Sequence, residues 1–139
     1  MRFEYTAALA IGILLPALET LRRGVGEWAV DFTTMFEDYV AGALLLTGAW
    51  AVHRNRHWGA LFLVVAWAYV TGMMSSSFWY QLEETARGTV TDPPIILVIK
   101  FLLWGTCVLA LVSSYRYVVS GRSGSSSSAL SGPRVAPRR

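Results

Sequence analysis

Lys100 interrupts the most apolar stretch of this 139-residue chain, PPIILVIKFLLWGTCVLALVSSY, in which no other residue is charged. It stands seven positions beyond Pro93. At the rise of an α-helix its Cα is therefore set roughly 10 Å below the helix start. An ammonium at that depth in hydrocarbon must reach back to the interface, pair with an acid or give up its proton. Insertion scales put the cost at a helix centre at about 2.5–3.5 kcal/mol. Outward reach is the short direction, and it leads to the face where Glu19, Glu37, Asp38, Glu83 and Glu84 gather. An ion pair of Lys100 with Glu37 or Glu19 is the natural expectation. The same residues are also the chemistry of an ion or substrate site, since ionisable groups inside membranes mark transport paths.

The other polar groups have structural explanations to set beside functional ones. Glu37 and Asp38, within FEDY, form a carboxylate pair able to bind a cation or exchange protons. Acids in a helix's first turn are also favoured by the dipole and by capping. Glu19 lies at the C-terminal end of its helix, where the dipole does not favour it, although Arg22 and Arg23 can neutralise it locally. His53 and His57 have i, i+4 spacing, but only Arg, Asn and Arg lie between them, so they read as an exposed turn rather than a metal or haem site. Adjacent Met73 and Met74 point about 100° apart on a helix and read as packing. Cys107 is the sole cysteine, which excludes an intrachain disulfide and a multi-cysteine metal centre. It has no electropositive neighbour to activate it. No glycine-rich phosphate loop, GxSxG, HExxH or CxxC motif is present. No metal ligand set or catalytic group is assigned, and a cofactor stays unspecified.

The elements that position these residues follow from hydropathy. Hydrophobic residues make up 54% of the chain and mean hydropathy is +0.44, above an ordinary soluble domain. The pattern predicts an all-α integral membrane four-helix bundle, with spans at about 5–21, 35–53, 58–80 and 93–119 and a disordered basic tail over 120–139. Pro16 is expected to kink span one. Thr34 and Glu37 form a capping box at the start of span two, and Asp92 before Pro93 is an N-cap pattern for span four. The segment from Trp28 to Tyr39 carries aromatic and apolar residues at helical spacing and is expected to lie partly along the membrane surface. Gly72 and Ser76 make a small-residue face for helix packing. Ala43, Thr47 and Ala51 on span two, and Thr106, Ala110 and Ser114 on span four, are expected to meet.

Charge sets the expected orientation. Arg2, Arg54, Arg56, Arg116, Arg122, Arg134, Arg138 and Arg139 fall on one side of the spans, and every acid but Glu4 falls on the other. By the positive-inside rule both termini are cytoplasmic, with Arg22 and Arg23 dissenting. This accounts for a pI of 9.4 without a nucleic-acid partner. The expected location is a cell membrane such as the bacterial inner membrane, and the expected partners are the bilayer and a membrane protein or second copy of the chain.

The four-span plan resembles that of small multidrug transporters and DoxX-like proteins. Glu19 at the outer end of span one and a first loop of about seventeen residues differ from the transporter pattern, so no functional residue is carried over. Three readings follow. An accessory or structural membrane subunit is the default. A small ion-coupled carrier built on Lys100, Glu37, Glu19 and Asp38 is the alternative, and would show Lys100 facing a cavity. A membrane enzyme acting on a lipid or quinone is the third.

Overall fold

The computed structural model describes residues 2–24, 32–88 and 93–128, and the backbone alone at 22, 23, 34 and 121–128. The described residues are 92% helical, with no strand among them. Four helices follow one another: α1 (Arg2–Arg23), α2 (Phe32–His53), α3 (Gly59–Arg87) and α4 (Pro94–Ser128). Three of them, α1, α3 and α4, are long and apolar enough to cross a membrane. The helix left out of that set, α2, matches them in its LLLTGAWAV half but carries Glu37 and Asp38 near its start.

The helices form a ring in which α1 packs on α2, α2 on α3, α3 on α4, and α4 more thinly back on α1. Neighbours run antiparallel. Between α2 and α3 this follows from the tight turn at 54–58, where the Arg56 N–H donates to the Ala51 carbonyl at 2.9 Å. Between α3 and α4 the Trp104 indole N–H donates to Ser75 Oγ at 2.8 Å, and Phe78 meets Phe101 and Trp104 at centroid distances of 5.8 and 5.7 Å. Because α2 and α4 lie across the diagonal, they do not approach each other among the described residues. The expected meeting of Ala43, Thr47 and Ala51 with Thr106, Ala110 and Ser114 is therefore corrected. Ala43 and Thr47 are exposed, and α2 instead turns Ala41, Leu45 and Ala49 into the core.

The closest helix crossing is between α1 and α2. Pro16 lacks the N–H that would bond the Gly12 carbonyl, and that carbonyl faces Gly42. A Cβ built on Gly42 would stand 2.6 Å from Gly12 O and 3.2 Å from Pro16 Cγ. Only a residue without a side chain lets the two backbones meet there, in the manner of small-residue interfaces between apolar helices.

Several boundaries differ from expectation for local reasons. Helix α3 runs through QLEETAR instead of ending near Tyr80, because that segment consists mostly of good helix formers and is braced by an Arg87–Glu83 pair one turn apart. It stops at Gly88, whose φ of 70° gives the left-handed C-cap that glycine adopts without strain. Helix α2 already includes Phe32 and Thr33, so Thr34 sits inside the helix and not at its cap. Phe32, Met35, Phe36 and Tyr39 belong to α2 rather than to a separate surface segment. Helix α4 continues to Ser128, past Ser120 where the composition turns to serine and glycine. Asp92, Trp28, the side chains of Arg22, Arg23 and Thr34, and residues 129–139 of the expected tail lie outside the described residues.

The core is concentrated at one end of the ring. Ala8 and Ile11 of α1, Leu45 and Ala49 of α2, Leu63, Ala66, Trp67 and Val70 of α3, and Cys107 and Ala110 of α4 are all buried. The residues that end at this level include Tyr5, which stacks on His53 at 6.1 Å, and Glu4, which accepts a hydrogen bond from the Ser113 hydroxyl. Large apolar side chains such as Ile13, Leu21, Val65, Leu102 and Leu109 point outward.

Candidate functional site

Toward the other end the ring does not close. Between the helices lies a cavity of about 960 Å³, and every helix contributes to its wall. From α1 come Leu15, Leu18 and Glu19; from α2, Glu37 and Asp38. The α4 wall is Ile96, Ile99, Lys100 and Leu103. Helix α3 supplies the longest strip, including Tyr69, Gly72, Met73, Ser76, Ser77 and Tyr80. Lys100, Glu19, Glu37 and Asp38, the four candidate residues read from the sequence, thus border a single space.

Helix geometry explains why they converge. Antiparallel neighbours place the end of α1 beside the start of α2, and the end of α3 beside the start of α4. Glu19 and Glu37 are therefore brought to one level by the α1–α2 connection. Lys100, two turns into α4, descends to the same cavity from the opposite wall. Thr20 and Tyr39 clasp the α1–α2 side with a hydroxyl–hydroxyl contact of 3.0 Å. Asp38 is 9% exposed, and Glu37, its sequence neighbour, is exposed. A carboxylate as buried as Asp38 requires compensating partners. Asp38, Glu19 and Lys100 are each engaged with neighbouring groups.

The small residues of α3 have a different role from the one expected. Gly72 has no atom within 4 Å of where its Cβ would stand, so no helix packs against it. The Gly72–Ser76 face instead forms part of the cavity wall. Ser75, one position away, is the residue turned to the neighbouring helix, accepting the Trp104 N–H while donating to the Thr71 carbonyl at 2.7 Å. Met73 and Met74 pack against the buried core, as expected, and also line the cavity. Trp67 Nε1 and Thr71 Oγ1, beside lining residues Ala68 and Gly72, are sealed from solvent with no hydrogen-bond partner among the described residues.

Sequence reasoning missed Tyr69, Tyr80, Ile96 and Ile99 as lining residues. The available signal was the Gly72–Ser76 spacing, which marks a place where two helix backbones can approach or where a space is left, and does not distinguish the two. His53 and His57 are exposed at the opposite end of the bundle, far along the chain's course from the acids. Among the described residues no group of three His, Cys, Asp or Glu side chains converges as metal ligands would.

The fold and cavity define a class: a small all-helical bundle, three of whose helices are apolar enough for a membrane, enclosing a charged cavity. No family model, curated protein or solved structure matches the chain.

Proposed function

We propose that this chain is a small carrier embedded in the cell membrane, binding its ligand in the cavity between the four helices. The observation that carries the reading is that Lys100 and three carboxylates from two other helices border one space of about 960 Å³. That volume lies at the upper end of the range typical of small-molecule sites. In this reading all four helices cross the bilayer, α2 being carried by its neighbours, with both termini inside and the acidic end outward. Lys100 and the acids exchange partners when ligand enters, which couples occupancy to ion or proton movement. An accessory-subunit role does not call for an open charged cavity at the heart of the bundle.

The test is to extract the protein with its native lipids and analyse by mass spectrometry what accompanies it. A small molecule in near-stoichiometric amount is expected with the native chain, and its loss is expected in a Glu37→Gln, Asp38→Asn double variant. A stoichiometric partner protein accompanying both forms, with no small molecule in either, would instead establish the accessory subunit.

A further inference from the structure

We infer that the ligand of this cavity is a membrane phospholipid with a zwitterionic headgroup, admitted sideways from the outer leaflet between α1 and α4. The inference rests on the carrier reading above and names the ligand that is carried.

Length is the first argument. The α3 wall runs from Ala68, in the middle of that helix's apolar run, to Tyr80 at the run's outer end. Those twelve residues rise roughly 18 Å, close to the roughly 15 Å half-thickness of the hydrocarbon core, which is the depth that one leaflet's lipid tails fill. The cavity is thus a slot one leaflet deep. Access is the second argument. The ring is closed most thinly between α1 and α4, and the Glu4–Ser113 hydrogen bond joins these helices at the opposite end. Leu18 of α1 and Ile99 of α4 line the cavity yet stay 50% and 54% exposed, so each faces the slot and the surroundings at once. In the carrier reading these apolar lips lie within the membrane, and the opening between them meets acyl chains. Chemistry is the third. Leu15, Met73, Met74 and Leu103 offer an acyl chain dispersion contacts, and methionine adapts to irregular shapes. Gly72 leaves room beside them, with no atom within 4 Å of where its Cβ would stand. Polar groups of both signs, Lys100 and the carboxylates, border the same slot. A headgroup that carries a phosphate and an amine matches both signs, and it enters by exchange with the partners that Lys100, Glu19 and Asp38 already hold. A water-soluble ligand would gain nothing from apolar lips or from a wall one leaflet deep.

The probe is a phosphatidylethanolamine with a diazirine at the end of one acyl chain, photolysed with the full chain in phosphatidylglycerol vesicles and mapped by peptide mass spectrometry. Label is expected on the α3 wall at Tyr69, Met73 or Ser76, as well as on outward residues such as Val65 and Leu109. Raising unlabelled phosphatidylethanolamine at a fixed share of probe should lower the wall label several-fold and leave the outward label unchanged. Gly72→Leu should lower the wall label by more than about tenfold, with the outward label reporting that the variant is still inserted. Label confined to outward residues would overturn the lipid assignment, as would wall label that added phosphatidylethanolamine does not displace. A water-soluble molecule retained in the extraction above would then leave the carrier reading in place. Displaceable wall label, without transfer of a fluorescent phosphatidylethanolamine between leaflets, would uphold the lipid site and overturn the carrier reading.

Discussion

Gly42→Leu is expected to abolish the folded bundle. The first atom of any side chain at this position would stand 2.6 Å from the Gly12 carbonyl oxygen and 3.2 Å from Pro16. Both obstacles are parts of a helix backbone or of a ring that cannot rotate away. Even Gly42→Ala forces α1 and α2 apart, and overpacking of this kind costs about 1–3 kcal/mol, a large part of the stability of so small a domain. Leucine adds three further carbons to the same clash. Because Leu15, Leu45 and Leu63 all pack in the core that this crossing holds together, separation of α1 from α2 would spread to it. Thermal unfolding in detergent should show a markedly lowered midpoint for the alanine variant and no cooperative transition for the leucine variant.

Gly72→Leu is expected to do the reverse, leaving the fold and removing the function. The position is helical and open, with nothing within 4 Å of the would-be Cβ. Replacing glycine in a helix by a good helix former contributes roughly 0.5–1 kcal/mol to stability. The new side chain projects into the cavity between Tyr69, Met73 and Ser76 and occupies the space a ligand would take. Melting should therefore stay level or rise, while the amount of small molecule that accompanies the protein from its native lipids falls by more than about tenfold. Intact binding in a well-folded Gly72→Leu protein would mean that the ligand sits elsewhere.

These two glycines show how far the sequence could be read. Both occur in apolar segments beside other small residues, but spacing marks only Gly72, with Ser76, as a place of close approach and leaves Gly42 beside the Ala43, Thr47 and Ala51 stripe unmarked. Only the arrangement of four helices assigns one to a backbone crossing and the other to an empty wall. The helices themselves were legible, since long apolar runs and charged turns admit no other secondary structure. Helix ends were less so: QLEETAR is polar enough to read as a loop, yet its residues favour a helix once Gly88 is available to end it. The pairing of stripes on α2 and α4 failed because periodicity identifies a face without naming the neighbour it meets. Antiparallel order around a ring places these two helices on the diagonal.

The charged cluster was legible for a firmer reason. An ammonium two turns into an apolar helix has a restricted set of remedies, and chain topology brings Glu19, Glu37 and Asp38 to its level. What could not be read was the space between them. A cavity is the residue of packing that does not happen, and it depends on the sizes of Gly72, Ser76 and Ser77 on one helix relative to side chains on three others.

Thiol accessibility in intact cells tests this account most directly. In a Cys107→Ser background, Ser76→Cys should react with a membrane-impermeant maleimide added outside. A cysteine at Asn55, in the turn between α2 and α3, should react only after the cells are opened. Labelling of Asn55→Cys from outside, with Ser76→Cys silent, would contradict both the orientation and the outward-opening charged cavity.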